Sequence, residues 1–118
     1  MKELVFELLT NDQSLINTKT SYFLKEDVIN FTIDNNIYRY NITKHILNKE
    51  NDESIMNIDM DNNKIIYVHK ELNKEFELPV DNNNLLINDN NIEYTYEIKD
   101  NDIVNIIKIS YWHHTYLW

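Results

Sequence analysis

The sequence predicts an all-β domain: an antiparallel meander of about 8–10 short strands curled into a barrel, with a two-sheet β-sandwich as the alternative. Three observations carry this. Apolar and polar residues alternate with period two along most of the chain, which places apolar side chains on one face of a strand and polar ones on the other. Clusters of Asp and Asn interrupt that alternation at regular intervals. The chain of 118 residues has no glycine and one proline, so those clusters must supply the turns. The length suits one domain, residues 1–118, able to bury a core without cross-links.

The elements follow in order. Glu3 to Thr10 opens the chain as a strand with Leu4, Phe6 and Leu8 on one face. Runs rich in β-branched and aromatic residues predict strands near 18–25, 27–33, 37–43, 64–70, 84–88 and 103–112. Thr43 to Glu50 lacks alternation and predicts a loop or a short turn. Met56, Ile58 and Met60 alternate with Asn57 and Asp59, and Glu75 and Glu77 alternate with Phe76, Leu78 and Val80. The cleanest strand is Ile92 to Lys99, with Ile92, Tyr94, Tyr96 and Ile98 on its apolar face. Tight turns need residues at positive φ, which Asn and Asp tolerate best after glycine. Hairpin turns are therefore expected at 34–36, 61–63, 81–84, 89–91 and 100–102. Pro79 has no amide donor, so it predicts a strand end or bulge and a kink after Leu78. Closing such a meander into a barrel buries one face and removes both edges.

Composition excludes several classes of function. No cysteine is present, which removes disulfides, thiolate metal sites and cysteine nucleophiles. The net charge of −9, with only 11 Lys and Arg, argues against nucleic acid as a partner. The start of the chain mixes acidic with apolar residues where a signal peptide needs an unbroken apolar run, and no stretch is apolar enough to cross a membrane as a helix, so a cytoplasmic protein with no membrane association is expected. The abundance of Asn, Ile and Lys fits coding by an AT-rich genome.

The order of segments resembles the YwiB-like family of small bacterial proteins. The acidic-apolar first strand, Glu3 to Thr10, is similar to that family's opening strand. Phe76-Glu77-Leu78-Pro79-Val80-Asp81 followed by Leu85-Leu86-Ile87 resembles its proline-containing stretch, with Val80 and Asp81 at the aromatic and glycine positions. Ile92 to Ile98 followed by Ile103 to Ile109 looks like its closing hairpin. The resemblance implies a calycin-like, lipocalin-like barrel with an internal cavity. It implies no reaction, because the family has no established activity.

Candidate sites are few. Tyr38, Tyr40, Tyr67, Tyr94 and Tyr96 could line a cavity for a small apolar ligand or could simply fill the core. The tail from Tyr111 to Trp118 concentrates aromatic residues, and Tyr111, Trp112, His113, Tyr116 and Trp118 are candidates for a homodimer or partner contact or for packing on the barrel. Adjacent His113 and His114 point to opposite faces of a strand and make poor joint metal ligands without a bend; either could instead pair with His69, Asp or Glu from another strand, but an aromatic tail that packs or makes a contact is the expectation. Asp59 to Asn63 carries the first oxygen ligands of a calcium loop but has Lys70 where a bidentate glutamate belongs, so a plain turn is expected. Asn30-Phe31-Thr32 and Asn41-Ile42-Thr43 match the glycosylation pattern but need a secretory route. Glu75, Glu77, Glu93 and Glu97 fall on a solvated strand face, and Ser14, Ser21, Ser54 and Ser110 lack a nucleophile-elbow context. No metal, cofactor or catalytic set is expected. The leading expectation is a non-enzymatic ligand-binding barrel, and the runner-up is an acidic inhibitor or regulator that engages a basic partner.

Overall fold

The computed structural model describes residues 2–112, with the backbone but not the side chain of Trp112. The side chains expected at Trp112, His113, Tyr116 and Trp118 to form a contact surface lie outside the described residues. Twelve strands and no helix make up the described chain: β1 (Glu3–Thr10), β2 (Gln13–Ser21), β3 (Phe23–Lys25), β4 (Val28–Ile33), β5 (Asn36–Asn41), β6 (Ile46–Glu50), β7 (Ser54–Asp59), β8 (Lys64–His69), β9 (Lys74–Leu78), β10 (Val80–Asn88), β11 (Asn91–Ile98) and β12 (Ile103–Trp112).

The strands form two antiparallel sheets, a five-stranded one in the order β10-β11-β12-β1-β2 and a seven-stranded one in the order β3-β4-β5-β6-β7-β8-β9. The hydrogen-bonded ladder does not close into a single barrel as expected; a sandwich-like pair of sheets is found. The physical reason lies at two corners. A single residue, Tyr22, separates β2 from β3, and Pro79 alone separates β9 from β10, so in each case one long strand leaves one sheet and enters the other. Proline cannot donate to a ladder, and its kink is where the chain changes sheets. The β10 strand carries a second irregularity, a register shift between Asp81 and Asn84 with Asn82 at φ 49°.

That shift corrects the turn expected at 81–84. These residues form a β-bulge inside β10, two residues facing Tyr96 alone. The other expected clusters are turns, with positive φ at Asp34, Asn63, Asp89, Asp100 and Asp102. A further hairpin, between β1 and β2, turns on Asn11 and Asp12, both at positive φ. His45 and Glu26 hold the same backbone region, Glu26 without belonging to the residue types enriched there. The segment expected to be a loop, Thr43 to Glu50, is corrected as well: only 42–45 turn, and Ile46–Glu50 is the strand β6, paired on both sides.

The core lies between the sheets. Leu4 and Phe6 on β1, Ile29, Phe31 and Ile33 on β4, Tyr38 and Tyr40 on β5, Leu47 on β6, Ile58 on β7, Ile65 on β8, Ile92, Tyr94 and Tyr96 on β11, and Ile107, Ile109 and Tyr111 on β12 are all buried. Apart from the corner residue Tyr22 and the turn residue Met60, every buried position obeys the strand alternation, and no polar or charged residue is buried among the described residues.

Candidate functional site

Two ends of the intersheet space differ. At one end Leu4 faces Tyr111 in the β1–β12 ladder, and Tyr40 sits between Ile29 and Leu47. Leu4, Ile29, Ile65 and Ile109 are fully buried there. The Tyr111 ring meets Tyr22 edge-on at 6.2 Å, and it is only 8% exposed, so this member of the expected contact tail belongs to the core. The Tyr40 hydroxyl is buried with no hydrogen-bond partner among the described residues, and burial pushes its pKa well above the ordinary phenol value.

At the other end a cleft of about 110 Å³ is lined by Phe6, Leu8, Tyr38, Leu47, Lys49, Met56, Ile58, Tyr96, Asn105 and Ile107. These residues come from both sheets, and register explains why they meet. Tyr38, Lys49, Met56, Tyr67 and Phe76 form one cross-strand row on the inner face of the seven-stranded sheet. Leu8 pairs with Ile107, and Tyr96 with Asn105, on the facing sheet. Exposure rises along the row from buried Tyr38 to Phe76, which is 47% exposed. Phe31 stacks on Tyr38 at 5.0 Å, and Phe6 packs obliquely against Tyr38 at 4.8 Å, forming the cleft's rigid aromatic floor.

Polar groups at the cleft are sparse and directed. Thr10 Oγ1 donates to Asn105 Oδ1 at 2.6 Å, leaving the Asn105 amide hydrogens for other acceptors; Asn105 also hydrogen-bonds the Tyr96 phenol. Burial pushes both Tyr38 and Tyr96 up to about 12, with Asp34 adding to the shift of Tyr38 and Tyr94 to that of Tyr96. Both phenols are therefore neutral donors at neutral pH.

The five expected tyrosines divide accordingly. Tyr38 and Tyr96 line the cleft, Tyr67 stands half-buried in the same row as Tyr38, and Tyr40 and Tyr94 fill the core. Tyr94 has a structural task. Its hydroxyl accepts from Asn83 Nδ2 at 2.8 Å and donates to Asn63 Oδ1 at 3.2 Å, tying the β10 bulge to the β7–β8 turn. Of the lining residues sequence reasoning named only Tyr38 and Tyr96; the apolar wall, Lys49 and Asn105 were missed. For Lys49 the signal was its spacing of two from Leu47, legible only once β6 is seen as a strand.

Other surface features are shallower. One depression of about 270 Å³ lies on the outer face of the five-stranded sheet around Leu86, Glu93 and Lys108, and one of about 280 Å³ is formed by Asp34, Asn35, Asn36, Asn51, Asp52 and Glu53. Both exceed the cleft in volume, but neither reaches between the sheets. The Asp59–Asn63 segment is a turn in which Asp59 accepts from Asn62 at 2.8 Å and Asp61 engages His45 Nδ1 at 3.0 Å. Among the described residues no group of three or more His, Asp or Glu side chains is placed to hold a metal ion, and no helix is long and apolar enough to cross a membrane. No family model, curated protein or solved structure matches the chain.

Proposed function

We propose that the protein is a non-enzymatic, cytoplasmic binding protein that holds a small apolar molecule in the cleft between its sheets. The observation that carries the reading is the cleft itself, a mostly apolar space floored by Phe6 and Tyr38 with two phenols, one amide and the Lys49 side chain at its wall. A mostly apolar wall with a few directed polar groups is the usual make-up of a ligand site. Its volume of about 110 Å³ suits a ligand near the size of one aromatic ring, since cavities of roughly 150 Å³ accept benzene.

The lipocalin-like fold and the YwiB-like resemblance belong to the same proposal. In their favour is the circuit of the strands. With β2–β3 and β9–β10 each taken as one bent strand, neighbours follow chain order throughout, and β12 pairs with β1. Such a circuit is a flattened meander barrel whose ladder is interrupted at the two corners.

Melting with benzyl alcohol as a neutral probe tests the binding reading. Saturation at about 100 times Kd should add about 2.7 kcal/mol of stability, and Leu8→Phe, which places a ring in the cleft, should abolish the gain. No gain in the wild type, or an equal gain in the variant, would overturn the reading. The acidic-module reading has the depression of Asp34, Asp52 and Glu53 in its favour; salt-sensitive binding of a polylysine peptide that Asp52→Asn with Glu53→Gln removes would support it instead.

A further inference from the structure

A lysine on the inner face of a sheet is unusual, and its position in the sheet sharpens the point. Lys49 follows Leu47 by two residues on β6 and therefore shares its inward face, opposite Tyr38 on one side and Met56 on the other. Inward charges often guard edge strands against unwanted pairing. Strand β6, however, is the middle strand of its sheet, bonded to β5 and β7, so that explanation does not apply. Lys49 also makes no ion pair or hydrogen bond with the described residues. Other cations nearby are differently placed: Arg39 on β5 and Lys70 in the turn after β8 both engage Glu50, on the outer face of β6, at 3.3 and 2.8 Å.

Desolvating an ammonium without a counter-ion is costly. Lys49 is only partly buried, so the cost falls when a ligand fills the cleft and displaces its water; an anionic ligand brings the counter-ion with it, while the remaining wall of Phe6, Leu8, Met56, Ile58 and Ile107 receives an apolar body. The surrounding protein is strongly acidic, at net −9, and repels free anions. A dedicated cation at the cleft is the local feature that reverses that preference. Neutral donors stand nearby in the Tyr38 and Tyr96 phenols and the Asn105 amide.

We infer that the cleft selects small monocarboxylates with an apolar body, and that Lys49 supplies the cation that pairs with the carboxylate. This rests on the reading of the cleft as a binding site. Benzoate and benzyl alcohol, which share a ring and differ in charge, separate the two claims when titrated calorimetrically. Wild-type protein should bind benzoate about tenfold more tightly than benzyl alcohol, the size of one charge-assisted contact. Lys49→Met should bring the ratio of the two affinities to about one, Lys49→Arg should keep the tenfold ratio, and Lys44→Met, at an exposed turn, should alter neither affinity. Equal affinity for the two probes, or equal losses of both in Lys49→Met, would overturn the role of Lys49 and leave the binding reading standing. Failure of both probes to bind would overturn the binding reading and this inference with it.

Discussion

The two ends of the intersheet space share β1, β5 and β12, yet one is sealed and the other is open. Around Leu4, Ile29, Tyr40, Ile65 and Ile109 each inward position is filled by a large apolar side chain that solvent does not reach. Toward the other end Leu8 on β1, Lys49 on β6 and Met56 on β7 are only partly buried, and a cleft remains. The difference teaches that the strand pattern alone does not decide packing. The β1 and β12 strands keep strict alternation over both ends, while the filling changes where short or polar residues, Thr10 and Asn105, replace large apolar ones.

The largest test of this contrast is a matched pair of truncations. Leu4→Ala, at a position with no exposure, should cost about 3–5 kcal/mol by denaturant unfolding, because the close-packed end cannot relax into the space left. Leu8→Ala, on the same strand at the cleft, should cost roughly half as much, since solvent already reaches the site. Equal losses would mean that the ends do not differ in packing.

Hydroxyl deletions sharpen the contrast at a smaller scale. Tyr94→Phe removes two hydrogen bonds, to Asn83 and Asn63, and should destabilise by about 1–2 kcal/mol. Tyr40→Phe removes a buried hydroxyl with no described partner and should be neutral or stabilising by about 1 kcal/mol. A larger loss for Tyr40→Phe than for Tyr94→Phe would contradict these assignments.

The alternation of Ile92 to Ile98 and the Asn and Asp turns were legible in the sequence because their causes are local. Period two fixes the face, and Asn or Asp takes positive φ where glycine is missing. The β6 strand was not legible. Its single clear inward pair, Leu47 and Lys49, includes a charge, so the pattern reads as broken, and tertiary pairing with β5 and β7 overrides it. The 81–84 cluster misled for the opposite reason: its Asn residues do take positive φ, at Asn82, but to make a bulge inside a strand. The division into two sheets depends on how the chain bends at Tyr22 and Pro79. Pro79 announces a kink, whereas nothing local at Tyr22 does.

Alkaline titration probes both aromatic groups of the cleft. Tyr38 and Tyr96 have folded pKa values pushed up to about 12 from an ordinary value of 10.0. Between those values the unfolded chain has released protons that the folded one still holds, so stability should be fully present below pH 10 and fall as pH rises toward 12. Phenolate absorbance followed alongside unfolding should show these two rings titrating late. A stability that stays flat across that window would contradict their burial. The smallest effect concerns neither end: Glu26→Gly, at φ 56°, should add about 1 kcal/mol by relieving the left-handed backbone cost, and a loss of stability would show that the Glu26 side chain does more than turn the chain.

The central claim is that the open end admits a ligand and the sealed end does not. Methyl NMR during titration with benzyl alcohol tests it most directly, because both ends carry reporters. The Met56, Ile58 and Ile107 methyl signals, around the cleft, should shift together and saturate with one dissociation constant, while those of Leu4 and Ile29, fully buried at the other end, should stay in place. Shifts spread evenly over both groups, or none at the cleft, would contradict the account.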